Sequence, residues 1–160
     1  MTPVSRRKPL LWAAALAAAL IGAYLAFAVF EVQALWTNTT VNEAAPGGRE
    51  ELARGAFHDV VHASAGSAIV FRDADGSRSL RLEDFSVDNG PDLYVYAVAA
   101  PDAADSASVE QAGFVNLGPL KANQGNQNYE LPAEFDPARH QSIVIWCQRF
   151  GVNFAAAPLR

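Results

Sequence analysis

An apolar run from Leu10 to Phe30, without one charged residue, sets the first constraint on this chain. As an α-helix the run would be about 31 Å long, close to the hydrocarbon thickness of a bilayer. It has no polar face, so it cannot lie half-buried on a soluble core. Arg6, Arg7 and Lys8 precede it, and the next basic residue is Arg49. Positive charge stays on the cytoplasmic side. Residues 1–9 therefore read as a cytoplasmic basic tail, 10–30 as a transmembrane helix, and everything after it as extracytoplasmic. Trp12 and Trp36 suit the two membrane interfaces. A cleaved signal peptide is the competing reading, but its apolar stretch is about 7–15 residues, and this one is longer.

Residues 31–53 are polar and contain the breaker cluster Pro46-Gly47-Gly48. They read as a linker, with a short helical turn over 50–54. From residue 54 the chain changes character. Short β-branched and aromatic runs alternate with turn residues. Ala68 to Arg72 and Ser79 to Leu82 flank Asp73-Ala74-Asp75-Gly76, a hairpin signal. Leu93 to Val98, Phe114 to Leu117, Gln127 to Leu131 and Ser142 to Trp146 read as further strands. Residues 100–111 are polar, acidic and Ala-rich, and read as a loop. The pattern predicts an all-β outer domain over 54–160, an antiparallel β-sandwich.

The chain has 160 residues and a formal charge of −5. Within residues 1–53, Arg6, Arg7, Lys8 and Arg49 cancel Glu31, Glu43, Glu50 and Glu51. The whole negative balance falls on the outer domain, which argues against nucleic acid as a partner. No phosphate-binding loop, nucleophile elbow or zinc-protease motif is present.

Cys147 is the only cysteine, so no internal disulfide can form. It ends the apolar run Ile143-Val144-Ile145-Trp146, which reads as a strand buried on both faces. Alternation puts Ile143, Ile145, Cys147 and Arg149 on one face, and Val144, Trp146 and Gln148 on the other. A guanidinium on the face of the thiol would favour its thiolate form, and thiolate fraction controls reactivity. The bland alternative is a small core residue, which is common for free cysteine. His140 sits in a turn-like segment and reads as exposed. Asp84, Asp88 and Asp92 read as turn caps rather than metal ligands.

Several segments in order carry a resemblance. They are Leu82-Glu83-Asp84-Phe85, Gly90-Pro91-Asp92-Leu93-Tyr94-Val95-Tyr96, Leu117-Gly118 with Leu120-Lys121, Gln127 with Tyr129 and Leu131-Pro132, and Val144-Ile145-Trp146-Cys147 with Phe150 and Phe154. With Phe57 and His62 upstream, residues 54–160 resemble the DM-thirteen (DM13) electron-transfer domain family. The resemblance implies an extracytoplasmic β-sandwich that transfers electrons, with its cysteine either a bare redox thiol or a ligand to haem. That cysteine carries over to Cys147, with Arg149 as the group that would stabilise a thiolate. In the haem alternative, His62 or His58 would be the second ligand. Covalent c-type attachment is excluded, because no C-x-x-C-H is present. A copper site lacks the His and Met that follow the cysteine in such centres. The expected function is thus a membrane-anchored electron-transfer module working with a redox partner protein, not a stand-alone enzyme. The contrasting expectation is a tethered interaction domain with no redox role.

Overall fold

The computed structural model describes residues 7–29, 37–45, 47 and 50–160. Helix α1 spans Arg7–Val29, and the stretch Leu11–Ala28 is long and apolar enough to cross a bilayer. None of that stretch is buried against the rest of the chain. Leu11, Trp12, Leu16 and Phe27 are exposed along it, so the helix needs an apolar medium that the protein itself does not supply. The tail over residues 1–6 and Trp36 lie outside the described residues.

The remaining elements are β1 (Thr40–Asn42), β2 (Glu50–Ala56), β3 (His58–Asp59), β4 (Ser64–Arg72), β5 (Arg78–Val87) and β6 (Leu93–Val98). After these come α2 (Ser106–Ala112), β7 (Phe114–Pro119), β8 (Gln124–Leu131), β9 (Ser142–Cys147) and β10 (Val152–Pro158). They form two five-stranded sheets, β1-β8-β5-β4-β2 and β3-β10-β9-β6-β7. Every pairing is antiparallel except β1 with β8. This is the antiparallel sandwich that the alternating pattern predicts.

The expected hairpin is β4–β5, closed by the Gly76 N–H on the Asp73 carbonyl at 2.9 Å. Between the sheets lies one core, with Val70, Leu80, Leu82 and Phe85 from one side and Val95, Ile143 and Ile145 from the other. Burying each such side chain is worth about 1.5–3 kcal/mol. A second cluster covers the outer face of β6 and β9, where Tyr96, Val98, Val144 and Trp146 meet Val109 of α2. That outer cover is why β9 is apolar at consecutive positions.

The domain begins earlier than residue 54. Within the expected linker, β1 pairs with β8, and Glu50–Ala56 is an edge strand on β4 rather than a helical turn. Its charges make ion pairs outside the sheet: Arg54 with Glu51 at 2.9 Å and Arg72 with Glu50 at 2.6 Å. β1 can approach because position 125 is Gly; a Cβ there, at φ +98°, would strike the Val41 carbonyl. The expected 100–111 loop contains all of α2 but its last residue. Its N-cap is Asp105, whose carboxylate accepts from the Ser108 N–H at 2.7 Å. His140 is buried, not exposed. Its Nδ1 accepts from the Asp136 N–H at 3.0 Å, and its ring stacks on Phe135.

Candidate functional site

Cys147 is the last residue of β9 and pairs with Leu93 of β6 and Val152 of β10. Its Sγ faces the inter-sheet core with Ile143 and Ile145, as alternation predicts, and Cys147 has no exposed surface. The thiol donates to the Pro91 carbonyl at 3.1 Å. Pro91 belongs to the turn that feeds β6. The next residue, Asp92, has a left-handed backbone (φ 61°), which Asp tolerates better than most side chains. The Asp92 carbonyl accepts the Gln148 N–H at 3.0 Å. Sγ is therefore pinned beneath a turn whose next residue, Asp92, is half-exposed.

Behind that turn, Gly90 packs on the Phe154 ring. A Cβ at position 90 would come within 2.5 Å of it. Phe154 packs against the His62 imidazole, with ring centroids 3.8 Å apart and planes tilted by 32°. The Phe154 carbonyl accepts three N–H groups, from Val60, Val61 and His62, at 3.2–3.3 Å. His62 Nδ1 lies 3.5 Å from the Asp88 carboxylate. Cys147, Phe154 and His62 are thus gathered at one end of the sandwich. His62 reaches this group through Phe154 and Asp88 and makes no hydrogen bond to the thiol.

Arg149 is not on the face of Cys147. Strand geometry stops at Cys147, and residues 148–151 form a turn closed by the Gly151 N–H on the Cys147 carbonyl at 3.0 Å. Arg149 is exposed in that turn. The alternation argument needs an extended chain, and that condition fails at Gln148. The expected thiolate partner is therefore withdrawn.

The residues present do not fit a haem. An iron ligand needs open space on the metal side, and Sγ is sealed and already hydrogen-bonded to the Pro91 carbonyl. The His62 ring is packed against Phe154, with centroids 3.8 Å apart and planes 32° apart. A cleft of about 420 Å³ opens beside the turn, lined by Gly90, Asp92 and Leu93 but not by Cys147. Among the described residues, no group of three or more His, Cys, Asp or Glu is placed to hold a metal ion.

His58, the other expected histidine, lies on β3. Its Nε2 faces the Asp102 carboxylate at 3.0 Å and its Nδ1 faces the Asp59 carbonyl at 3.1 Å. Both ring nitrogens can donate only in the imidazolium form. Burial alone would lower its pKa, but the hydrogen bonds to Asp102 and to the Asp59 backbone outweigh this and raise it. Sequence reasoning missed this pair, because 44 positions separate the partners. It also missed the Pro91 carbonyl, since no side-chain pattern marks a backbone acceptor.

The fold and this end of it define a class: a two-sheet β domain that follows a membrane-compatible helix and holds one sealed thiol. The family model described as Electron transfer DM13 matches residues 56–159. The chain belongs to the DM13 family. No curated protein matches, and no solved structure matches.

Proposed function

We propose that this protein is a membrane-tethered, extracytoplasmic electron-transfer module, that Cys147 is its redox-active group, and that a redox partner protein supplies or accepts the electrons. The electron-transfer family to which residues 56–159 belong carries this reading. The burial of Sγ narrows the mode. Thiol–disulfide exchange needs direct attack on sulfur, and a fully covered Sγ cannot be attacked in the closed domain. Electron exchange through packed atoms needs no such access: on oxidation Sγ–H gives one electron to the partner and its proton to water at the turn, leaving a thiyl radical, and reduction returns both. The path out is short: the hydrogen bond from Sγ to the Pro91 carbonyl, then the peptide link to half-exposed Asp92.

The test is electron flux from membranes containing the full chain to an impermeant acceptor such as ferricyanide. Cys147→Ser and Cys147→Ala are each expected to abolish the flux while the β-sheet circular dichroism is retained. Unchanged flux in both variants would overturn the reading.

A second reading is a tethered interaction domain with no redox role. The observation that favours it is the sealed sulfur with Arg149 turned out to solvent. On that reading, cellular function survives Cys147→Ser intact.

A further inference from the structure

The described part of the outer domain starts at Thr37, and α1 ends at Val29. Eight peptide steps join them, so the two Cα atoms lie at most about 29 Å apart. A domain of this size is about 34 Å across. The tether is therefore shorter than the domain it holds. Whichever end receives the chain is the end kept nearest the bilayer.

That end is the one bearing Cys147. Asn38 Oδ1 accepts from Asn89 at 2.7 Å, next to the Gly90–Pro91 turn. Asp88 and Ala63 are hydrogen-bonded to each other twice, which ties the turn to the segment holding Val61 and His62. The Asp73–Ser77 turn lies at the opposite end of β4 and β5.

The same end carries exposed apolar side chains. Among the described residues of 37–160, the exposed large hydrophobics are Val61 (60 %), Phe150 (65 %) and Phe114 (47 %). Phe114 pairs with Val98, at the far end of β6, and stacks on Tyr96. Val61 and Phe150 flank the site: Val61 donates its N–H to the Phe154 carbonyl, and Phe150 stands in the turn after Cys147. Asp88, Asp92, Glu110 and Arg149 are among the nearby charges, so the surface has no basic cluster that would select anionic lipid.

We infer that Val61 and Phe150 dock into the headgroup layer of a neutral bilayer and hold the Pro91–Cys147 end of the sandwich against the membrane. This rests on α1 being a retained membrane anchor. It implies that the partner meets the thiol end laterally, at the membrane plane. The tether keeps the local lipid concentration high, so two side chains suffice where a free domain would need more.

The experiment uses the full chain in phosphatidylcholine nanodiscs, with Cys147→Ala as background. A nitroxide is placed at Arg149→Cys in one sample and at Ala74→Cys, in the far turn, in another. Oxygen and polar-relaxant accessibilities report the depth of each label. The 149 label is expected in the headgroup layer and the 74 label in water. Val61→Ser with Phe150→Ser is expected to lower the docking equilibrium constant at least about tenfold, because two apolar contacts with the headgroup layer are lost. Labels at both positions equally aqueous, in a chain that stays in the disc, overturn the inference and leave the anchor standing. A chain absent from the discs removes the anchor and the inference together. A docking equilibrium constant unchanged by the double substitution also overturns it.

Discussion

Gly90→Ala tests the packing behind the thiol. The new methyl would lie 2.5 Å and 2.7 Å from two atoms of the Phe154 ring, and 3.2 Å from Leu93. Real Cβ contacts do not come so close, so the ring or the turn must move. Phe154 has little room to do so. It is 4 % exposed, the His62 imidazole packs against it with centroids 3.8 Å apart, and its own carbonyl holds three N–H groups. Overpacking a site of this kind costs about 1–3 kcal/mol. With a urea m-value of about 1–3 kcal/mol/M, the midpoint should fall by roughly 1 M. The assay is equilibrium urea unfolding of the outer domain followed by circular dichroism. The His62→Ala background should recover part of the loss, because removing the imidazole gives the ring somewhere to go. A midpoint unchanged within error in Gly90→Ala would refute the reasoning that Gly90, Phe154 and His62 form one rigid stack behind Pro91.

Other predictions follow from the same geometry. Arg149→Ala should leave both stability (within about 0.5 kcal/mol) and the folded-state alkylation rate of Cys147 unchanged, because the side chain is exposed in the turn; mass spectrometry after timed iodoacetamide treatment reads the rate. Ile145→Ala should cost about 2–5 kcal/mol in urea unfolding, since Ile145 is fully buried on the core face of β9. His58 has a folded pKa raised above its ordinary value, with the hydrogen bonds to Asp102 and the Asp59 backbone exceeding the lowering by burial. Its contribution is thus fully present below the unfolded value of about 6.5 and is lost as pH rises through the folded one. Urea midpoints at pH 5.5 and 8.5 should show this loss in the parent chain and a smaller loss in Asp102→Asn.

The core strands were legible because the environment of each face is written in side-chain type. Ile143 to Trp146 is apolar without alternation, and both faces are covered, one by the opposite sheet and one by α2. The inward position of Cys147 followed from the same period of two. The reading failed where that period breaks. Arg149 lies two residues past Cys147, yet the chain has already turned. β1 and β2 were hidden because their residues are polar or charged and the Pro46-Gly47-Gly48 cluster between them reads as a breaker. Their strand character comes from pairing with β8 and β4, which local sequence does not encode. α2 carries a local signal, Asp105 three residues before Ser108, a helix N-cap spacing. The site was half legible. The thiol could be named, but the Pro91 carbonyl and the Phe154–His62 stack depend on contacts between distant segments.

Protein-film voltammetry of the full chain in a supported bilayer asks whether Cys147 carries electrons at all. A reversible wave is expected, and both Cys147→Ser and Cys147→Ala abolish it in domains that remain folded. A wave that persists in both variants, or no wave in the parent chain, would contradict a redox role for Cys147.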